Sequence, residues 1–193
     1  MRLYISLLIL LFISQSWAKA EDIRDFEIEN LSVGDRLLNY MTEKEIIADF
    51  SFVYKDKNFA TIFYNKKTQY DNIQITVKPN DNNFIIHGIS AIIYYDNRYS
   101  ECLEKKEIIT IEMENLISSK TKRQSENNIK RSLIYDPTRE SVWSYSAFYF
   151  DNGEAAQVFC TDWAKYLTEE KNWRDNLKVA LYSKQFATYL KNQ

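Results

Sequence analysis

The chain has 193 residues, 45% of them hydrophobic and 27% charged. Fourteen Tyr, eleven Phe and four Trp against three Gly and two Pro exclude a disordered chain, and so few Gly and Pro argue against a β-sandwich with many tight turns. Without residues 1–20, which hold Arg2 and Lys19 and no acid, 23 basic side chains face 27 acidic ones; a net charge of −4 argues against general nucleic-acid binding.

The amino terminus reads as an address. Met1-Arg2 is a short positive start, and Leu3 to Ile13 is an apolar run of eleven residues broken only by Ser6. Ala18-Lys19-Ala20 is a small-x-small cleavage site, so residues 1–20 are expected to be a secretory signal peptide and residues 21–193 one α+β domain. A cut after Ala18 remains an alternative. The apolar run is shorter than the ~20 residues that span a bilayer, and no Cys follows it to carry a lipid. No later stretch is long and apolar enough to cross a membrane, which predicts a periplasmic or secreted protein.

Asp22 to Asn30 is charged, with Phe26 and Ile28 alternating as an edge strand. Ser32 with Asp35 predicts the start of a helix carrying Leu37, Leu38 and Met41 inward. Thr42 with Glu45 repeats that signal for a short helix to about Asp49. Phe50 to Tyr54 and Phe59 to Tyr64 predict a hairpin.

The central unit runs from Ile73 to Ile117. Ile73, Ile75 and Val77 alternate with polar residues, Pro79 to Asn83 is a turn, and Phe84 to Tyr95 predicts a strand covered on both faces. From Tyr99 the spacing becomes helical. Tyr99, Leu103, Ile109, Met113, Leu116 and Ile117 fall near one side, with Glu101 and Lys105 as an i,i+4 pair on the other.

Ser118 to Arg131 predicts a solvated basic loop. Lys120, Lys122, Arg123, Lys130 and Arg131 could contact an anionic surface there. Val142 to Phe150 and Glu154 to Trp163 predict a hairpin closed by Asn152-Gly153. Thr168 to Asn176 reads as a charged loop, Leu177 to Tyr182 as a last strand, and Ser183 as the cap of a terminal helix with Phe186, Tyr189 and Leu190 inward. The sum is α+β: an antiparallel sheet of about six or seven strands with about three helices.

Cys102 and Cys160 are the two thiols. An even pair in an exported chain predicts a disulfide. Two buried free thiols are an alternative. A metal pair is another, though with His87 as the single His it is one ligand short of a usual zinc site.

Catalytic chemistry is sparse. Gly34-Asp35-Arg36-Leu37 is similar to the Gly-Asp-Ser-Leu block of a hydrolase family, but Arg36 stands where the nucleophile belongs. Any Ser-His or Cys-His site must use His87, which sits mid-strand like a packed structural residue. Glu101, Glu104, Glu107, Glu112 and Glu114 offer paired carboxylates for glycosidase-type work, yet their helical spacing describes an exposed face. There is no phosphate loop and no dinucleotide fingerprint, so no cofactor is expected and the reading leans away from an enzyme.

Several blocks together resemble a family of small exported bacterial proteins without an established function. They are Ile28 with Gly34 to Tyr40, Tyr70 to Gln74, Ile93-Tyr94-Tyr95 with Cys102, Cys160 to Trp163, and Asp175 to Val179 through Ser183-Lys184. The resemblance spans nearly the whole mature chain and implies export and paired cysteines. Members usually have Ser in place of Arg36, which implies no shared chemistry there. The expected role is a non-enzymatic envelope module that binds a partner through exposed aromatic sheet or a strand edge. The alternatives are a small-ligand or lipid binder with an apolar cavity, and, less favoured, a carboxylate-dependent hydrolase.

Overall fold

A computed structural model describes residues 19–54, 56–117, 121–129 and 136–192. The expected signal peptide, apart from Lys19 and Ala20, lies outside these residues, as do Lys120, Lys130 and Arg131 of the basic segment. The strands are β1 (Phe50–Val53), β2 (Ala60–Phe63), β3 (Asn72–Val77), β4 (Gly88–Tyr94), β5 (Lys122–Ile129), β6 (Val142–Tyr149), β7 (Ala155–Asp162) and β8 (Asn176–Tyr182). The helices are α1 (Glu43–Ala48), α2 (Tyr99–Leu116), α3 (Lys165–Lys171) and α4 (Lys184–Lys191). The class is α+β with one antiparallel sheet, as expected. The described residues hold eight strands and four helices rather than six or seven and three.

The strand order is β1-β2-β3-β4-β8-β7-β6-β5. Two four-stranded meanders are thus joined through β4 and β8, with α2 crossing between them. The β6–β7 ladder pairs all eight residues of each strand without a break, from Val142↔Asp162 to Tyr149↔Ala155. Its turn works because Gly153 takes φ +90°, which a side chain would resist, and its N–H reaches the Phe150 carbonyl at 2.9 Å.

The period-two pattern sorts each strand into two faces. Ile62, Ile75, Ile89, Leu181 and Ala156 are register partners on one face, and Ile73, Ala91, Val179, Val158 and Ser146 continue it. The first meander's share of this face is covered by the N-terminal segment, whose Ile23, Leu31, Leu37 and Ile46 are fully buried. α2 covers the other half, packing on β7, β8 and β6. Each fully buried Leu or Ile is worth about 1.5–3 kcal/mol, so this layer carries most of the stability.

The opposite face is covered at one end by α4. Phe186 packs there against Phe59 and Tyr182, over Gly88, where an added Cβ would stand 3.0 Å from the Phe186 ring. Ser183 caps α4 as expected, its hydroxyl accepting from the Phe186 N–H.

Four local expectations are corrected. Asp22 to Asn30 forms no edge strand; a capped 3₁₀ turn at Ile23–Asp25 and an isolated Ile28–Leu31 bridge replace it. No helix starts at Ser32: its N–H does bond the Asp35 carboxylate as a capping box would, but the backbone at Gly34 to Leu37 is committed to residues 84–86 instead of to helical turns. Only a 3₁₀ turn at Leu37–Asn39 survives.

The basic loop is in part a strand. β5 forms because it pairs with β6, a long-range contact that local propensity does not report. The first part of the expected charged loop Thr168 to Asn176 is helical, because α3 runs from Lys165 to Lys171. It ends at Asn172 in the left-handed region and is held by bonds from Tyr166 to Asp136 and from the Ala164 N–H to Ser141.

Candidate functional site

The long helix is tied down at both ends. Cys102 and Cys160 are joined as a disulfide between α2 and β7, with Cα atoms 5.9 Å apart. At the other end the Ala20 N–H bonds the Leu116 carbonyl at 2.8 Å and Ala20 bridges Ile117. The N-terminal segment therefore leaves the end of α2 and runs across the sheet beside it.

A cleft of about 420 Å³ lies between them. Its floor is Ala91 and Ile93 of β4 with Leu177, Val179 and Leu181 of β8. One wall is Ile109, Met113 and Leu116 of α2, and the other is Phe26 and Ile28. Lys105 and Glu112 from the helix and Glu27 and Gln69 opposite form a polar rim. Apolar lining with a few polar groups and a volume within 300–1,000 Å³ is the usual make-up of a small-molecule site. Two larger hollows, about 560 Å³ around Asp49 to Ile73 and about 760 Å³ between Lys57, Lys78 and Lys184, are more open and more polar.

Five residues of the expected stripe reach the core, Met113 and Ile117 buried and Tyr99, Leu103 and Ile109 packed beside them, but polar residues share the face that α2 turns to the sheet. Cys102, Lys106, Thr110 and Met113 are its buried residues, while Leu116 is 48% exposed at the mouth of the cleft. Glu101 bonds Arg98 at 3.0 Å rather than serving Lys105.

Lys106 is 2% exposed and faces β6. Its Nζ lies 3.4 Å from the Ser146 hydroxyl, which shares a 2.7 Å hydrogen bond with the Ser125 hydroxyl. The Tyr99 hydroxyl bonds Ser144 nearby. Burial holds the Lys106 amine below its ordinary pKa, against the pull of Glu107 and with a push from Arg123. Ser146 is fully buried, so this pair cannot meet a substrate.

His87 is nearly buried, 5.4 Å from the Phe59 ring, with Nδ1 3.1 Å from the Ser183 hydroxyl. Burial and then Lys78 lower its pKa. Ser183 is occupied as the cap of α4, and no carboxylate bonds this imidazole among the described residues. A Ser-His-acid site is not assembled here.

Of the five expected carboxylates, Glu101 and Glu114 pair with Arg98 and Arg123, and Glu104, Glu107 and Glu112 are exposed on α2. Lys122 and Arg123 are successive residues on β5 and so point to opposite faces of the sheet, which divides the described part of the basic patch. Among the described residues no three His, Cys, Asp or Glu side chains cluster to hold a metal, and no helix is long and apolar enough to cross a membrane.

The sequence reading missed the cleft as a specific place. Its helix and strands were legible, but not the path of Phe26 to Ile28 across the sheet. No protein-family model, curated protein or solved structure matches this chain.

Proposed function

We propose that this is an exported, non-enzymatic binding module that takes a small apolar ligand in the cleft between α2 and the Phe26–Ile28 segment. One observation carries the reading. At the centre of the sheet, where Leu177 and Leu181 are only 2% exposed, Val179 and Ile93 remain partly open beneath a gap lined by apolar side chains. The disulfide fits an oxidising compartment and so supports export.

The test is saturable binding of an uncharged fluorescent naphthalene probe by the mature protein. One site per chain is expected, lost when Val179→Trp fills the gap and kept in a surface control such as Lys165→Ala. Equal binding by the Val179→Trp protein would remove the reading.

A partner-binding module is the second reading. It rests on Phe52 and Val53, each 44% exposed on β1, the edge strand of the sheet. Crosslinking in intact cells through this edge would favour it.

A further inference from the structure

The sheet face turned away from the cleft carries a second set of groups. Five interior strands, β3, β4, β8, β7 and β6, run side by side there, and their pairings continue without a register shift. At the usual spacing of about 4.8 Å they span about 19 Å. Among the side chains these strands direct to that face, Lys178 is the one charge. It lies opposite Ile92 on one side and Phe159 on the other. Its Nζ crosses β4 to bond the Gln74 amide oxygen at 3.2 Å.

That is a weak setting for a cation. An ammonium has three donors, and a neutral amide satisfies one of them. Desolvation lowers the Lys178 pKa to about 8, a cost that an acidic partner would remove. A second donor on the same face is unsatisfied. The Trp143 indole N–H is buried without a hydrogen-bond partner among the described residues. Aromatic rings flank both groups: Phe159 and Tyr145 lie 6.4 Å apart, and Tyr94 carries the Arg174 guanidinium 3.9 Å above its ring. Gln74 and Gln157 supply amides that can donate and accept together.

We propose that this face binds an acidic oligosaccharide, with sugar rings lying on Phe159 and Tyr145 and a uronate-type carboxylate on Lys178. Charge complementarity selects the acid, because the five interior strands present one poorly partnered cation and no anion; the carboxylates at the borders of the face are engaged, Glu126 of β5 by the Tyr145 hydroxyl and Asp96 by Arg174. The sheet interior selects a glycan over an acidic peptide. Peptides add to sheet edges through main-chain hydrogen bonds, and the five strands here have theirs committed to neighbours on both sides. Side chains alone must do the recognition, and rings with paired amides suit rings with hydroxyls.

The experiment is calorimetric titration of the mature protein with tetragalacturonate, its methyl ester and tetraglutamate, at pH 7. The free acid is expected to bind about tenfold tighter than the ester, the value of one charge-assisted hydrogen bond. Lys178→Met should remove that preference and Lys178→Arg should retain most of it. Phe159→Ala should weaken the acid and the ester alike. Each variant is first checked for native circular dichroism; Lys178→Arg covers the case where Lys178→Met does not fold. Absence of binding, equal binding of acid and ester, or tighter binding of tetraglutamate would overturn the proposal. Filling the cleft with Val179→Trp should leave this binding unchanged, which separates it from the apolar site on the other face.

Discussion

The N-terminal segment and α2 cover two halves of one sheet face in different ways. The segment has little regular structure, yet it inserts Ile23, Leu31, Leu37 and Ile46 among Ile62, Ile73, Ile75 and Ile89, an apolar contact throughout. α2 is a regular helix of 18 residues, but it turns the Tyr99 hydroxyl to Ser144 and the Lys106 amine to Ser146, and buries Thr110, whose hydroxyl donates back to the Lys106 carbonyl. Regular local structure and a favourable interface are therefore separate matters. The irregular cover is held by burial, whereas the helical cover includes a desolvated cation and is fastened by a covalent bond. The cleft opens where the two covers fail to meet.

The largest expected effect comes from cutting that bond. The bridge spans a sequence separation of 58, for which chain entropy assigns about 4 kcal/mol. Cys102→Ser with Cys160→Ser should lower the denaturant midpoint accordingly and raise hydrogen exchange in α2 before it rises in β2 and β3. An unchanged midpoint would mean that the polar seam holds the helix unaided.

Leu37→Ala probes the other cover. Leu37 is fully buried in the apolar cluster, and its truncation should cost about 3 kcal/mol. Because this half lacks a covalent tie, the loss should appear in global unfolding by urea, with the same slope. A cost below 1 kcal/mol would show that the segment can detach without unfolding the sheet.

Lys106→Met should have the smallest effect and the opposite sign, a gain of about 1–2 kcal/mol at pH 7. The folded-state pKa of Lys106 is depressed by burial, so the unfolded chain binds the proton more tightly. Stability of the natural protein relative to Lys106→Met should thus rise with pH from the lowered folded value up to the ordinary lysine pKa near 10.5, and be flat below that window. Paired urea titrations at pH 7 and 10 measure it. A difference that does not narrow at pH 10 would mean the amine is charged and satisfied in the fold.

Much of this architecture is legible residue by residue. Asn152-Gly153 marks the β6–β7 hairpin because few residues tolerate the turn's backbone angles. Thr42 with Glu45 marks α1, whose capping box forms as the spacing requires. Ser32 with Asp35 carries a similar signal and fails, because the backbone of the segment pairs with residues 84–86. β5 was hidden for the converse reason. Its residues are polar and suit a loop, and only β6 makes them a strand.

The candidate site was legible only in pieces. Val179 and Ile93 are inward strand residues from their period, and Ile109 and Met113 are helix residues from theirs. That a gap remains between them depends on where Phe26 and Ile28 run, which a nonrepeating loop does not encode in its spacing. The alternation of Leu177, Val179 and Leu181 puts Lys178 on the other side of its strand, but its reach to Gln74 requires knowing that β4 lies between β8 and β3.

From the amino-acid order alone follow the antiparallel α+β class, the Asn152-Gly153 turn and the capped starts of α1 and α4, because these rest on interactions between residues a few positions apart. The pairing of β4 with β8, the buried setting of Lys106 and the cleft were decided in three dimensions. Each depends on contacts between residues dozens of positions apart, whose energies come from burial and register rather than from local preference.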